Sequence, residues 1–361
     1  MGKIIFVNAT ACTSGGVLTI LNQFIDNIKN YDEKNIYYIF STKHIDINFE
    51  NINLITNVKG KKYLDRIKWD LFGMAKWADN NKINPDIVIS LQNTGVRFNG
   101  KKQIVYLHQC LPYSKESEWN FFKRDERKLW FYKNIFKIWI HASIPKENYI
   151  VVQNNWMKKA LLNHGYRDEN IVIATPDIKD IDICKIYKKN TNGIINFFYP
   201  AADYKYKNHE VLLKAIRELK DNYIDDLNNM NFIFTIDKNS HVYKLARELE
   251  VEKYISFLGN ITYEDVLSNY KNCHSVLFPS YIETVGLPLV ESAYFGKKIL
   301  VADCEYSRET LGNYKLAKFI EYKNYEMWAN EIRKSLESYN EMPTKLHKET
   351  SWRNMFDIWL K

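Results

Sequence analysis

Residues 275–296 read SVLFPSYIETVGLPLVESAYFG, and this stretch decides the fold class. An apolar run, residues 275–280, is followed by a short polar turn and then by a segment with helical spacing. Gly286 lets the backbone come close to a ligand, and Pro288 suits the first helical position, where its missing N–H is no loss. The stretch therefore predicts a buried strand, a tight turn and a helix, which is the repeating unit of a parallel α/β fold.

Two carboxylates, Glu283 and Glu291, lie eight residues apart around this turn. We expect Glu283 on the turn and Glu291 in the first turn of the helix, both pointing into the crevice where open α/β sheets bind ligands. The helix start would attract a phosphate, and a carboxylate beside it would accept hydrogen bonds from sugar hydroxyls. Taken singly, each Glu is better explained by the helix dipole or by solvation, but together with Gly286, Pro288 and Gly296 they favour a binding site.

The same strand pattern recurs along the whole chain of 361 residues. Eleven short runs rich in β-branched or aromatic residues predict strands, and most are separated by segments with helical spacing. Runs that are apolar on both faces are typical of parallel sheets covered by helices. Eleven strands favour two doubly wound α/β domains, residues 1–175 and 176–345, with a polar linker near residues 175–193. Residues 346–361 predict a C-terminal helix with one apolar stripe.

Composition limits the class of protein. The hydrophobic share of 46% and the charged share of 26% are typical of a soluble globular protein. No apolar run approaches the roughly 18 to 20 residues of a spanning helix and no signal-peptide pattern is present, so we expect a cytoplasmic protein. The five cysteines are scattered, which indicates reduced thiols and neither a disulfide framework nor a zinc site. The formal net charge of +8 favours anionic partners without choosing among them.

The segment from Phe257 to Gly312 resembles the donor-site half of glycosyltransferase family 4. The resemblance rests on FLG at 257–259, on ETVGLPLVE at 283–291, and on AYFGKKILVAD and SRETLG beyond it. Members of that family carry a Glu-x7-Glu motif, which Glu283 and Glu291 match. The resemblance extends over nearly all of the chain at fold level. It implies the GT-B fold, in which two doubly wound Rossmann-like domains face each other across a cleft and a C-terminal helix returns to the first domain.

The resemblance also implies roles for single residues. Lys207 in FFYPAADYKYKNHE matches a lysine that reaches the donor diphosphate, where an ammonium would neutralise leaving-group charge without a metal. Many family members place an Arg five residues earlier, and this chain has Ala202 there. Either Lys205 substitutes for it or fewer charges hold the diphosphate. Glu283 is implied to orient the sugar and Glu291 the ribose.

Two further loops complete the implied donor site. Gly15 and Gly16 in TSGGVLTIL resemble the family's N-terminal Gly-Gly loop, for which an ordinary strand-to-helix turn is the alternative. The backbone of the turn between the two glutamates is implied to bind the donor as well, through Thr284, Val285, Gly286 and Leu287.

Side chains at two predicted strand ends of the first domain are further candidates. His108 ends the run QIVYLHQ, and the resemblance implies a catalytic role near the transferred sugar; a structural histidine is the alternative. Gln92 and Asn93 of SLQN occupy a similar edge, and we hypothesise that they hold an acceptor hydroxyl. Asp180-Ile-Asp182 spells the metal motif of a different glycosyltransferase fold, but it lies in the predicted linker. We therefore expect no metal and no other cofactor.

Residues 119–139, WNFFKRDERKLWFYKNIFKIW, mix six basic residues with many aromatic ones. Such a helix can rest on an anionic membrane surface, here the cytoplasmic face of the inner membrane, and bring an enzyme to a lipid-linked acceptor. The alternative, which we favour modestly, is that two helices pack these aromatic side chains on the sheet of the first domain.

The sequence and this resemblance together predict a hexosyltransferase-type glycosyltransferase, and the resemblance implies that it retains the anomeric configuration. It would move a sugar from a nucleotide-sugar donor to a hydroxyl of a glycan or lipid-linked glycan, and the resemblance implies bacterial surface polysaccharide biosynthesis, such as O-antigen of lipopolysaccharide or capsule. One alternative is a nucleotide-sugar epimerase or phosphorylase on the same fold. Another is a non-catalytic basic protein that binds nucleic acid, but no RNA or DNA motif appears and the basic residues are dispersed. No Gly-x-Gly-x-x-Gly follows a predicted strand, which disfavours a dinucleotide-dependent oxidoreductase.

Overall fold

The computed structural model describes residues 2–58, 60, 63–116, 119–178, 181–187, 193–346 and 351–361. The chain forms two compact units: residues 1–177 together with 349–361, and residues 178–348. The predicted domain boundary at residue 175 lies two positions before the end of the first of these segments.

The first unit is built on seven parallel strands, which are β1 (Ile4–Asn8), β2 (Ile36–Phe40), β3 (Ile52–Ile55), β4 (Ile87–Ser90), β5 (Lys102–Tyr106), β6 (Tyr149–Val152) and β7 (Ile171–Ile173). Its helices are α1 (Gly15–Tyr31), α2 (Tyr63–Lys68), α3 (Met74–Asn81), α4 (Arg127–Phe131), α5 (Lys137–Ser143) and α6 (Asn155–Leu162). A π-helical turn joins α2 to α3 at Trp69–Gly73, and another joins α4 to α5 at Tyr132–Phe136.

The second unit has six parallel strands, which are β8 (Ile195–Tyr199), β9 (Met230–Phe234), β10 (Ile255–Phe257), β11 (Ser275–Phe278), β12 (Lys298–Ala302) and β13 (Ala317–Ile320). Its helices are α7 (His209–Asn222), α8 (Ile224–Leu227), α9 (His241–Glu248), α10 (Tyr263–Asn272), α11 (Leu287–Tyr294), α12 (Glu305–Leu311) and α13 (Tyr325–Lys334). A 3₁₀ turn, Lys205–Lys207, precedes α7.

Both sheets are doubly wound. The strand order is β3-β2-β1-β4-β5-β6-β7 in the first unit and β10-β9-β8-β11-β12-β13 in the second. In each sheet the order reverses beside its first strand, between β1 and β4 and between β8 and β11. Ligands of such sheets bind outside the carboxyl ends of the strands at this reversal. The prediction of two doubly wound parallel sheets is confirmed.

The C-terminal helix, α14 (Trp352–Leu360), belongs to the first unit. Its apolar stripe of Trp352, Met355, Phe356 and Trp359 is buried in the core of that unit. Trp352 stacks on Tyr106 with ring centroids 5.5 Å apart. Its indole N–H donates to Oε1 of Gln23 over 3.1 Å. The helix is therefore an integral part of the first unit's core.

Two strands, β3 and β13, are absent from the sequence-based prediction, and both lie at a sheet edge. The five cysteines are free thiols, four of them buried. Across the described ranges, the structure contains no helix that is both long and apolar enough to cross a membrane.

Candidate active site

Two side chains meet at the carboxyl ends of the central strands of the second unit. Lys207 closes the 3₁₀ turn after β8, and Glu283 lies on the loop after β11. The Lys207 ammonium donates a hydrogen bond to Oε1 of Glu283. The two side chains are only 17% and 15% exposed, so the charges are largely withdrawn from water. The structure thus brings together two of the predicted catalytic residues at the place where the strand order reverses.

Backbone contacts fix the relative position of the two loops that carry this ion pair. The amide N–H of Tyr281 donates to the carbonyl of Tyr206 over 3.1 Å, and the hydroxyl of Ser280 donates to the same carbonyl over 3.3 Å. The side-chain amide of Asn208 donates to the carbonyl of Pro279 over 3.3 Å. Asn208 has φ +59°, a left-handed conformation that Asn tolerates better than most residues. The loops are therefore preorganised by contacts that do not depend on the ion pair itself.

Glu291 lies in the second turn of α11, and the expectation that it lies in the first turn is wrong. The helix begins at Leu287, so Glu291 is its fifth residue and the helix dipole does not account for its position. Two tyrosines of α10 hold its carboxylate: the hydroxyl of Tyr263 donates to Oε1 over 3.1 Å, and that of Tyr270 donates to Oε2 over 3.0 Å. Burial raises the pKa of Glu291, and the two hydroxyls oppose that rise.

The turn between the two glutamates is closely packed at Gly286. This residue has φ +73°, and a Cβ built on it would lie 3.3 Å from side-chain atoms of both Leu289 and Tyr306. Any side chain there would be strained by both the conformation and the space. Leu287 opens α11 with Pro288 in its first turn. The loop backbone is held from the other side as well, because the Thr310 hydroxyl donates to the carbonyl of buried Val285 over 2.6 Å. Its neighbour Thr284 is partly buried.

Ala202 and Lys205 are both exposed on the loop after β8. Between Lys205 and Lys207, the ring of Tyr206 stacks on that of Tyr204 with centroids 5.6 Å apart. The loop therefore presents two lysines and an aromatic pair on the same edge of the sheet as Glu283.

In the first unit, Gly15 and Gly16 open α1 directly after the loop that follows β1. Gly15 has φ +60°, which favours glycine. A Cβ built on either glycine would meet nothing within 4 Å among the described residues. The start of α1 is therefore open, at the edge where the order of the first sheet reverses.

Gln92, after β4, is buried in a polar network around Asp70. Its Nε2 donates to Oδ1 of Asp70 over 2.8 Å, and its Oε1 accepts from the hydroxyl of Thr10 over 2.9 Å. Asn8 and Thr94 also donate to the Asp70 carboxylate, over 2.8 and 3.1 Å. Burial raises the pKa of Asp70 to about 7 against these hydrogen bonds. Both the nitrogen and the oxygen of the Gln92 side-chain amide therefore have hydrogen-bond partners within the first unit.

Asn93 and His108 are in direct contact. Oδ1 of Asn93 accepts from the backbone N–H groups of His108 and Gln109, each over 2.8 Å, so the amide oxygen faces the end of β5. Nδ2 of Asn93 lies 3.0 Å from Nε2 of His108. Because Nδ2 can only donate, Nε2 must accept, and the proton of the neutral imidazole is on Nδ1.

The environment of His108 keeps the imidazole neutral. Burial lowers its pKa to about 4. Nδ1 is buried and has no hydrogen-bond partner among the described residues. The imidazole of His108 is therefore an uncharged hydrogen-bond donor whose N–H is unused within the described chain.

Three side chains of these clusters were not found from the sequence. Tyr263 and Tyr270 lie seven residues apart and thus on one face of α10, which was a usable signal. Asp70 lies in a π-helical turn far from any predicted strand end, so the sequence held no indication of its partners.

Within the described ranges, no group of three or more His, Cys, Asp or Glu is arranged to hold a metal ion. Of the Asp-x-Asp pattern, Asp180 lies outside the described residues. Asp182 accepts from the backbone N–H of Cys184 over 3.2 Å at the start of a 3₁₀ turn.

The second unit coincides with a match to a family model. Residues 181–351 match the family described as glycosyl transferases group 1. The matched region is similar to glycosyl transferases of group 1 and makes up a little less than half of the chain. It contains Lys207, Glu283 and Glu291, so the ion pair and the tyrosine-held carboxylate lie inside it.

A curated relative and two solved structures resemble the chain more widely. The O-antigen chain mannosyltransferase RfbU of Salmonella typhimurium strain LT2 is 19% identical over 247 residues, which make up 66% of this chain and 66% of that protein. The crystal structure of WaaG, a glycosyltransferase involved in lipopolysaccharide biosynthesis, has a TM-score of 0.67 at 15% identity and covers 92% of this chain and 90% of its own. Anabaena HepE in complex with UDP and glucose has a TM-score of 0.62 at 14% identity and covers 99% and 94%. The structural likeness shows the fold, and the predicted GT-B fold is confirmed.

Proposed function

We propose that this protein is a retaining glycosyltransferase of the family 4 type, which moves a sugar from a nucleotide-sugar donor to a hydroxyl of a glycan acceptor. The observation that carries the proposal is the pairing of Lys207 with Glu283 at the strand ends where the second sheet reverses its order. The glycosyl transferases group 1 match over residues 181–351 supports the reaction class. The Glu-x7-Glu spacing supports the finer assignment to family 4.

Lys207 is suited to the leaving group. Its ammonium donates to Glu283, and a donor diphosphate would add a second set of anionic oxygens around the same cation. A cation fixed before the reaction stabilises the charge that develops on a departing diphosphate, and it costs little reorganisation. The start of α11 beside Gly286 offers its backbone to the same phosphates.

The two glutamates would bind the two sugars of the donor. A carboxylate has two oxygens, so Glu283 can accept from Lys207 and from a hydroxyl of the transferred sugar at once. Glu291, already oriented by Tyr263 and Tyr270, would accept from the ribose hydroxyls. In this scheme the enzyme supplies positioning and charge, and no side chain acts as a nucleophile.

Retention then follows from attack on one face of the sugar. The bond from the anomeric carbon to the diphosphate oxygen breaks, and the acceptor hydroxyl forms the new bond on that same face. The hydroxyl proton passes to the leaving diphosphate oxygen. His108 would lie near the transferred sugar, and its lowered pKa keeps the imidazole uncharged there.

The relatives give the proposal its biological setting. One is named an O-antigen chain mannosyltransferase, another is described as involved in lipopolysaccharide biosynthesis, and a third is solved with UDP. We propose a hexosyl donor carried on a nucleotide and an acceptor in a bacterial surface polysaccharide. The protein would be cytoplasmic and reach a lipid-linked glycan at the inner membrane, without a nucleic-acid partner.

We also propose that transfer needs no divalent metal, because Lys207 supplies the cation at the leaving group. Full transferase activity after exhaustive treatment with EDTA is the expected result. Abolition by EDTA, with recovery on adding Mg²⁺ or Mn²⁺, would show that the diphosphate needs a metal ion as well.

Calorimetric titration tests the donor site without knowledge of the acceptor. UDP, GDP, ADP and dTDP are titrated into the wild-type protein and into Glu291→Ala. We expect one nucleotide to bind and the substitution to weaken it by about 1 to 3 kcal/mol, the usual effect of losing a hydrogen bond to a charged group. Product analysis with the matching nucleotide sugar then separates transfer from epimerisation. Absence of binding by all four nucleotides would contradict the proposal.

A further inference from the structure

Exposed apolar side chains are concentrated in two helical segments of the first unit. The segments are α2 to α3, joined by their π-helical turn, and residues 119–143, which contain α4 and α5. Phe122 is 88% exposed and Leu64 is 69% exposed. We call the whole set the apolar surface, and its members are Leu64, Phe72, Phe121, Phe122, Ile135 and Ile138.

Of the eight aromatic side chains in residues 119–139, Phe121 and Phe122 are exposed, so the expectation that these side chains pack on the sheet is wrong for those two. Every residue from Arg127 to Phe136 is at least partly exposed. Trp119 is buried, but Phe121 and Phe122 next to it are not. Large apolar side chains exposed together are typical of a surface that contacts a partner or a membrane.

The charge of the second segment selects an anionic partner. Residues 119–143 contain six Lys and Arg and two Asp and Glu, which gives a formal net charge of +4. The guanidinium of Arg127 lies 5.4 Å from the ring centroid of Phe121, so a cation and an exposed aromatic ring are side by side. Aromatic side chains interleaved with basic ones are the composition of helices that lie in the interface of anionic bilayers.

A cavity of about 810 Å³ lies beside the apolar surface. Leu71 of the π-helical turn and Trp139 of α5 line it, together with residues at the starts of β5 and β6. Its basic lining residues are Arg97, Lys101 and Lys102. Two acids, Asp70 and Glu147, also line it, and Asp70 is already engaged by three side-chain donors.

The cavity and the apolar surface are continuous. Arg97 lines the cavity, and its guanidinium lies 5.9 Å from the ring centroid of Phe72, which belongs to the apolar surface. On the other side, Ile138 directly precedes the lining residue Trp139 on α5. The cavity could bind the anionic head of an amphipathic molecule, and the apolar surface could contact its apolar chains.

We propose that the apolar surface inserts into an anionic bilayer and that the cavity beside it receives the phosphate headgroup of an anionic phospholipid, with Arg97 as its principal cation. This inference rests on the proposed function for its biological purpose. Docking to the bilayer would hold the transferase where a lipid-linked acceptor is found. The lipid is a docking ligand and is distinct from the acceptor.

Sedimentation with vesicles tests the apolar surface. The wild-type protein should bind vesicles containing phosphatidylglycerol and bind pure phosphatidylcholine weakly. Phe122→Ser combined with Ile138→Ser should weaken binding by roughly 100-fold, because each side chain loses apolar burial equal to about a tenfold change in affinity. Ile224→Ser, an exposed apolar side chain of the second unit, is the matched control and should bind as the wild type does. If the double variant and the control bound the vesicles equally well, the apolar surface would not be the part that inserts into the bilayer.

A soluble lipid tests the cavity separately. Dihexanoyl phosphatidylglycerol below its micelle concentration should bind the wild-type protein in calorimetry, and Arg97→Gln should weaken that binding by roughly tenfold, as loss of a charged hydrogen bond does. Inorganic phosphate at the same concentration should compete poorly. If phosphate bound as tightly as the soluble lipid, the ligand of the cavity would be a free anion and the lipid proposal would be wrong. If Arg97→Gln bound the soluble lipid as tightly as the wild type does, the cavity would not be the binding site.

Nucleotide binding separates this inference from the proposed function. The variants of the apolar surface and of the cavity should bind the donor nucleotide as the wild type does, because their side chains belong to the first unit, whereas Lys207, Glu283 and Glu291 belong to the second. Loss of vesicle binding with nucleotide binding intact is the expected result. A wild-type protein that binds the nucleotide but no anionic vesicle would contradict the docking proposal alone.

Discussion

Lys207 and Glu283 form an ion pair across the two central strands of the second sheet, although they lie 76 positions apart in the sequence. Each stands on the loop after its strand, and backbone contacts between Tyr206 and the loop of Glu283 hold the two loops together. Both side chains are mostly buried. The pair therefore fixes a cation at the place where a parallel sheet presents its ligands.

Replacing either partner of this pair should affect activity more than folding. We expect Lys207→Gln to lower kcat by roughly 100- to 1000-fold, the usual effect of removing one preorganised stabilising group. Glu283→Gln should lower the free energy of unfolding by about 1 to 3 kcal/mol, because it leaves a partly buried ammonium without its charged hydrogen-bond partner. The double variant should recover part of that stability and none of the activity. Steady-state kinetics and chemical denaturation measure the two effects.

The pair Glu210 and Lys214 on α7 is the matched control. It is also a Lys–Glu pair, but its side chains are 54% and 46% exposed. Exposed pairs of this kind couple by about 0.3 to 0.5 kcal/mol. If a double-mutant cycle on Lys207 and Glu283 gave the same small coupling, with kcat unchanged, the pair would be a surface feature without a role in transfer.

Nucleotide binding should depend on pH through Glu291. Burial raises the pKa of this carboxyl, and only the ionised form is a full acceptor for ribose hydroxyls. Affinity should therefore rise with pH as Glu291 ionises and then level off. Tyr270→Phe removes a hydroxyl that lowers the pKa, so the rise should move to higher pH. Calorimetric titrations across the pH range measure the midpoint for the wild type and the variant.

Tyr339→Phe is the control for that experiment, since Tyr339 is also partly buried in the second unit but its hydroxyl donates to the carbonyl of His274. It should leave the midpoint where the wild type has it. A wild-type affinity that is constant with pH would mean that Glu291 is ionised throughout or does not touch the nucleotide.

The tautomer of His108 should be set by Asn93. In the wild-type protein the imidazole proton belongs on Nδ1, because the amide of Asn93 donates to Nε2. Asn93→Asp keeps an acceptor for the two backbone N–H groups and removes the donor. Nε2 must then carry a proton, so we expect the Nε2–H tautomer or the imidazolium. The nitrogen chemical shifts of the imidazole, measured by two-bond NMR correlation, distinguish these forms.

Asn93→Gly provides the control, because it keeps the positive φ of this position and loses the whole amide. A mixture of the two neutral tautomers is the expected result. Finding the proton on Nε2 in the wild-type protein would show that Asn93 does not hold His108 in the way that the hydrogen bonds indicate.

The central strands could be predicted from the sequence because their residues are apolar and buried, whereas β3 and β13 were missed. All four residues of β4 and of β11 are buried, so these strands appear as continuous apolar runs. β3 and β13 pair on one side only, and most of their residues are partly exposed: INLI contains an Asn and AKFI a Lys. The other two edge strands, β7 and β10, are also partly exposed but were predicted, so the Asn of β3 and the Lys of β13 are what interrupt the apolar pattern.

The site residues were predicted one by one, but their contacts were not. Lys207 and Glu283 were both expected at strand ends, yet their pairing depends on β8 lying next to β11, which no local pattern specifies. In the same way, Asn93 and His108 were given separate roles. They touch because β4 and β5 are neighbours in the first sheet. Spacing along the chain identifies candidates, whereas the strand order decides which of them meet.

His209 should weaken the protein in acid. Its ring lies against Tyr199 and Phe234, and neither of its nitrogens has a hydrogen-bond partner among the described residues. Burial, and to a lesser extent Lys207, lowers its pKa to about 3, whereas the unfolded chain has an ordinary pKa of about 6.5. The contribution of the neutral His209 ring to the free energy of unfolding is therefore fully present above pH 6.5 and is lost as the pH falls toward 3. At pH 5 the loss should be about 2 kcal/mol.

Replacing His209 by Phe should remove that loss, because Phe fits among aromatic rings and cannot be protonated. We expect the variant to equal or exceed the wild-type free energy of unfolding at pH 7.5 and to gain on it by about 2 kcal/mol at pH 5. Chemical denaturation at the two pH values measures this difference. His241→Gln is the control, since His241 is exposed at the start of α9 and should not change the pH dependence. If His209→Phe kept the full acid sensitivity of the wild type, the cause would be another buried histidine, with His108 the first to test, because burial lowers its pKa to about 4.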